Sequence, residues 1–179
     1  MTRLLTLSVL LGFFTLLLPY TSSAQERGGG EVRASPNASV SQTIGTTVVS
    51  ITYGRPGVKG RQVFGGLESW GEVWRTGANE STAITFSGDV TVEGETVEAG
   101  TYSLYSIPRE NGNWTIILNS QLSWGTQYDA SQDVIRVDVQ AEEAPMREWF
   151  MIYFRNLSES SAERVLHWEN VRVPFTIEA

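Results

Sequence analysis

The chain has no cysteine and one histidine, His167. No disulfide can brace the fold, and no thiol is available as a nucleophile or metal ligand. One histidine without HExxH-type spacing lacks the partners of a zinc site, and beside Trp168 it reads as a strand residue on a partly wet face. Lysine is nearly absent too. Lys59 is the only one, so arginine carries almost all the positive charge and favours planar, bidentate contacts. Neither GxSxG nor GxxxxGK[ST] occurs, which removes the nucleophile elbow and the phosphate loop. No motif requires a metal or a cofactor.

A long apolar run occurs only at the start. Arg3 precedes LLTLSVLLGFFTLLL at residues 4–18, and Ser22 and Ala24 follow as small residues. That order is a secretory signal peptide over residues 1–24, with no transmembrane segment expected after its cleavage. Export places the mature protein in the periplasm or outside the cell. Cleavage removes Arg3 and no acid, which moves the formal net charge from −7 to −8. Such a surface repels phosphate backbones and anionic lipid, so nucleic acid is not an expected partner. Residues 25–37 (QERGGGEVRASPN) have almost nothing to bury and read as a flexible lead-in.

From residue 38 to 179 the pattern is that of one domain built from short strands. In 46–53, Val49, Ile51 and Tyr53 alternate with Val48, Ser50 and Thr52, a period of two. Further runs at 82–86, 90–93, 95–98 and 101–107 are separated by glycine-bearing turns, and 114–119 should pair back onto 101–107 across Asn111-Gly112. Runs follow at 133–140, 147–155, 163–168 and 171–177. In the first, Ile135, Val137 and Val139 form a dry face against Val134, Arg136, Asp138 and Gln140. Pro174 predicts an edge position or a bulge for the last strand. Sustained helical periodicity is absent. The expected fold is all-β, a single antiparallel β-sandwich of Greek-key or jelly-roll type with minor helix.

Residues 53–82 (YGRPGVKGRQVFGGLESWGEVWRTGANEST) hold seven of the 17 glycines together with Arg55, Lys59, Arg61 and Arg75. Pro56 fixes its own φ and Gly57 permits a left-handed turn, which aims Arg55 outward. Lys59 and Arg61 add two cations at alternate positions. Such a group either holds a carboxylate, sulfate or phosphate, or pairs with Glu68, Glu72 and Glu80 and pins a long loop. Trp74, Arg75, Asn79, Glu80 and Thr82 repeat the ambiguity. Their donors and acceptors suit a small polar or sugar pocket walled by Trp74, and equally suit a core tryptophan followed by backbone-satisfying loop residues. Trp124 and Tyr128, in WGTQYD, either stack on sugar rings or close the end of the sandwich. Glu80 is the carboxylate whose setting nominates it for acid–base work.

The succession SQTIG (41–45), YGRP (53–56), VKGR (58–61), FG (64–65), GEVWRTGAN (71–79) and AGTYSL (99–104) resembles the exported bacterial domain-of-unknown-function family numbered twenty-nine eleven. The resemblance runs from about Ser35 to the C-terminus. It implies a secreted all-β domain without an established activity, and it implies that Arg55, Lys59, Arg61, Trp74, Arg75, Asn79 and Thr82 belong to the family pattern. Three functions follow. The leading expectation is a non-catalytic module for a polar ligand, carbohydrate-like or anionic, at Arg55, Lys59, Arg61, Trp74, Arg75, Asn79, Glu80, Thr82, Trp124 and Tyr128. The others are a carboxylate-based envelope hydrolase and a structural envelope protein with no ligand.

Overall fold

A computed structural model describes residues 27, 28 and 30–179. The expected signal peptide lies outside the described residues. Ten strands follow one another: β1 (Asn37–Ile44), β2 (Thr47–Gly54), β3 (Thr82–Phe86), β4 (Val90–Val92), β5 (Glu95–Val97), β6 (Gly100–Ile107), β7 (Asn113–Asn119), β8 (Asp133–Gln140), β9 (Glu142–Arg155) and β10 (Ser161–Glu178). Among the described residues the only helical element is a 3-10 turn at Ala130–Gln132, so none can cross a membrane as a helix.

The strands form two antiparallel sheets, one in the order β1-β2-β3-β6-β7-β8 and one in the order β5-β4-β10-β9. Period-two sequences make such sheets because alternate side chains point to opposite faces. Ile51, Ile84, Leu104, Ile116 and Leu118 of the larger sheet are fully buried in one core with Val92, Phe150, Leu166, Phe175 and Ile177 of the smaller. In β8 the alternation holds as expected, with Ile135, Val137 and Val139 buried and Val134, Arg136, Asp138 and Gln140 exposed.

Several boundaries differ from the expectation. β1 was not expected as a discrete strand, since NASVSQTI has too little apolar content to stand out, yet it pairs along its whole length with β2. The runs at 163–168 and 171–177 are one strand, β10, whose pairing with β9 shifts register on both sides of Glu169 (φ 52°). β10 lies inside the sheet, not at its edge. Pro174 is tolerated because it falls after the last pair with β9, at Arg172, and before the first with β4, at Ile177. Asn111-Gly112 does not close a two-residue hairpin, since the β6–β7 ladder stops at Ile107–Thr115. Two-residue hairpins occur instead at Glu93-Gly94, both at positive φ (50° and 86°), between paired Val92 and Glu95, and at Gly45-Thr46, between paired Ile44 and Thr47.

The long connection from β2 to β3 is anchored by aromatics. Phe64 packs 4.8 Å from Trp114, 5.8 Å from Trp74 and 6.0 Å from Trp168, and Trp74 stacks on Trp168 at 5.7 Å. Burying each ring contributes about 2–3 kcal/mol, so the glycine-rich segment is pinned to the core at two points within its length.

Candidate functional site

At the exit of β2 the backbone has no room for a side chain. A Cβ on Gly54 would lie 2.2 Å from the carbonyl oxygen of Ala78. The next residue, Arg55, donates its amide to Pro36 O (2.8 Å) and its Nε to Phe150 O (2.8 Å). Val58 N–H donates to Glu148 O (2.8 Å), so the turn continues the open edge of β9. Arg61 folds back over this turn and donates from Nε to Val58 O (3.0 Å) and from Nη2 to Gly57 O (2.6 Å). Lys59, at φ 52°, donates its amide to Glu148 Oε1 (2.9 Å) and its Nζ to Ala34 O (3.4 Å), with the Trp149 ring at 5.7 Å. These three cations therefore spend donors on backbone carbonyls, not on the neighbouring glutamates.

The second half of the segment is wound tightly. Trp74 is core, and its Nε1 donates to Gly77 O (3.2 Å). Thr76 and Asn79 sit at φ 52° and 67°, a region costly for a β-branched residue. Buried hydroxyls hold the shape: Thr82 Oγ1 donates to Thr76 O (2.6 Å), Thr76 and Ser106 share a bond of 2.9 Å, and Ser81 and Ser103 share one of 2.7 Å. Asn79 Nδ2 donates to Ser35 O (3.2 Å). The lead-in thus lies along this loop.

Glu80 is buried, and Arg33 takes both its oxygens: Nη1 to Oε2 at 2.8 Å and Nη2 to Oε1 at 3.0 Å. Arg27 lies alongside, 3.7 Å from Oε2, and donates to Ser81 O. Burial would push the Glu80 carboxyl up, but the bonds and charge of Arg33, helped by Arg27, hold it below the usual range. Burial brings Arg27 down to about 10, with Glu80 opposing that shift. A carboxylate so held is ionised near neutral pH and has no proton to give.

Arg75 behaves differently. Its Nε is buried without an acceptor, and its guanidinium makes no hydrogen bond among the described residues. The stem is gripped by the 123–128 loop, since a Cβ on Gly125 would lie 2.2 Å from Arg75 Cδ. The acid whose charge it meets is Glu68, which also interacts with Arg61. Burial pushes the Glu68 carboxyl up to about 7 against the pull of both arginines. Trp124, 52 % exposed, precedes Gly125 and bridges Glu80 through the backbone. Tyr128 closes the outer face of the larger sheet. Its ring packs 5.0 Å from Tyr105, its hydroxyl donates to Asp133 Oδ2 (2.6 Å) and accepts from Arg136 Nη2, and burial with Asp133 pushes it up to about 12.

The residues nominated from sequence therefore divide. Arg55, Lys59, Arg61, Asn79, Glu80 and Thr82 are tied into the loop, Trp74 and Tyr128 into packing, and Arg75 and Trp124 remain open. Arg27 and Arg33 were not foreseen, and Glu68 was expected only as a pairing partner for the loop's cations. Two arginines in the lead-in of an acidic chain, with Glu80 the buried acid of the facing loop, were the available signal. Two concavities of about 420 Å³ each lie elsewhere and include none of the nominated residues. Among the described residues no group of three or more histidine or acidic side chains could hold a metal ion.

Comparison with curated proteins and with solved structures finds no match. The family described as "Protein of unknown function (DUF2911)" matches residues 35–177. That span covers both sheets, the glycine-rich connection and Arg75, and the chain belongs to this family.

Proposed function

We propose that the protein is an exported, non-catalytic module that binds a polar, anionic ligand at the surface formed by Arg75, Glu68, Arg61 and Trp124. The observation that carries this reading is the Arg75 guanidinium. A buried Nε without an acceptor, on a stem clamped by Gly125, is costly unless something accepts from it. Its fork is open to a carboxylate, sulfate or phosphate group, which it would take bidentately. Trp124 offers an exposed apolar face beside it, suited to a sugar ring or other flat group. Glu68 sets the pH response: below about 7 it is neutral and leaves the two arginines unopposed, and above that its charge competes with the ligand.

A hydrolase reading loses the acid named for it, because Glu80 is saturated by Arg33. For Arg55, Asn79 and Glu80 the structural role is the better supported one, with the loop system acting as a clamp between lead-in and sheets.

Isothermal titration of the protein against sulfate, phosphate and acidic monosaccharides tests the reading. Binding should tighten from pH 8 to pH 6, and Arg75→Ala should weaken it by roughly tenfold or more. Absence of binding to every anion at either pH, or equal affinity in Arg75→Ala, overturns it.

A further inference from the structure

One of the two concavities lies where the β6–β7 connection meets the β8–β9 junction and the irregular part of β10. It shares no residue with the Arg75 surface. Its wall carries Trp70, whose ring packs on Phe64 at 6.0 Å and 31°. The backbone at Gly65 closes on the Trp70 indole, with room for nothing larger than hydrogen: a Cβ there would lie 2.3 Å from Nε1. The indole is therefore half-buried and fixed by its neighbours.

Around it stand Arg109, Asn111, Gln140, Glu143 and Asn170. The side chains of Arg109, Asn111, Glu143 and Asn170 are exposed and make no hydrogen bond or ion pair among the described residues. The neighbouring Glu142, by contrast, is taken by Arg172 and Arg155.

The fold spends regularity to make this place. The β9–β10 ladder slips between His167 and Glu169 and again between Glu169 and Val171, with Glu169 in the left-handed region at φ 52°. Trp168 and Val173 both face the core across this interruption, so the alternation changes phase there and Asn170 is left exposed on the rim. Glu169 meanwhile receives the Val63 amide at 3.4 Å, which ties the bulge to the loop carrying Phe64 and Trp70.

We infer that this concavity is a binding site for a neutral saccharide. A pyranose ring presents an apolar face to an indole and vicinal hydroxyls to amides, carboxylates and guanidinium groups that donate or accept in pairs. Fixed Trp70 supplies the platform, Asn111, Gln140 and Asn170 supply both donors and acceptors, and Arg109 is balanced by Glu143. An acidic sugar would meet Glu110 and Glu143 and is disfavoured. A volume of about 420 Å³ lies in the range that holds small ligands and fits one or two sugar rings.

The test is titration of the whole purified protein with neutral cello-, xylo-, malto- and chito-oligosaccharides, followed by calorimetry and tryptophan fluorescence. At least one series should bind with a Kd between roughly 10 μM and 1 mM. Asn170→Ala and Arg109→Ala, both exposed positions, should weaken it at least about fivefold with the melting temperature unchanged, and Trp70→Ala more so. Excess sulfate, which addresses the Arg75 surface, should not compete. No binding to any neutral series, affinity unchanged in both exposed variants, or displacement by sulfate would each overturn the assignment. Failure of anion binding at Arg75 leaves these outcomes unaffected, so the two readings fall separately.

Discussion

Arg33 closes over Glu80 as a two-pronged clamp, Nη1 at 2.8 Å from one carboxylate oxygen and Nη2 at 3.0 Å from the other, across 47 residues of chain. The acid that the sequence nominated for chemistry is thereby a fastening for the lead-in. Glu80→Gln leaves the buried Arg27 without its counter-charge and should lower the melting temperature by several degrees. Because Glu80 titrates below its ordinary 4.5 in the folded protein, its contribution is full above that value and fades as pH falls through the depressed one. Thermal melts from pH 7 down to pH 3 should show a steeper acid loss in the wild type than in Glu80→Gln, and parallel curves would refute this account.

Glu68 has the opposite sign. Its carboxyl is raised from 4.5 to about 7, so the folded state holds the proton more tightly than the unfolded one. Its contribution is full below pH 4.5 and is lost as pH rises through about 7. Glu68→Gln should gain on the wild type in melting temperature between pH 5 and pH 8, the difference levelling above that. Nuclear magnetic resonance titration of the Glu68 carboxyl carbon measures the midpoint directly.

Arg164 lies wholly in the core. All three of its guanidinium nitrogens lack a partner, and the Phe175 ring lies 5.0 Å away. Burial lowers it to about 9, with the Tyr53 hydroxyl pulling weakly the other way. Arg164→Met keeps the volume and removes the desolvated charge, and should raise the melting temperature near pH 7. Since the folded pKa is lowered, the wild type recovers stability as pH rises above 9, so the advantage of Arg164→Met should shrink in melts at pH 10.

Two glycine substitutions separate the scaffold from the site. Gly54→Ala drives a Cβ to 2.2 Å from the backbone oxygen of Ala78, which cannot move without unwinding the loop, and should cost more than about 3 kcal/mol or prevent folding. Gly125→Ala meets the Arg75 stem at 2.2 Å instead. Arg75 Cδ can swing away, but its Cβ, 2.8 Å from the added methyl, moves only with the backbone, so that variant should fold at a cost of about 1–3 kcal/mol, less than Gly54→Ala, and lose anion affinity as Arg75 is displaced. Denaturant melts paired with sulfate titration read both effects.

Most of the fold was legible because it is written locally. Period-two alternation with glycine-bearing turns marked eight of the ten strands within a few residues, since the pleat exposes and buries alternate side chains whatever the partner strand. β1 stayed unread because its half-exposed face gives no apolar contrast, and β10 was split in two because the bulge at Glu169 breaks the period. The turn at Asn111-Gly112 had the right chemistry but not the closing pair.

The candidate site was legible only as a composition. Clustered cations and glycines mark a segment that must turn sharply and present charge, which is a property of the residues alone. Which cations stay open depends on acceptors far along the chain: Arg55 finds its carbonyl 95 residues away at Phe150, and Glu80 finds its arginine in the lead-in. A guanidinium is satisfied by any oxygen brought within about 3 Å, and chain position says nothing about which oxygens those are. Packing of the two sheets brings such an acceptor to Arg55 and none to Arg75, while Arg61 takes the carbonyls of Gly57 and Val58 from its own turn.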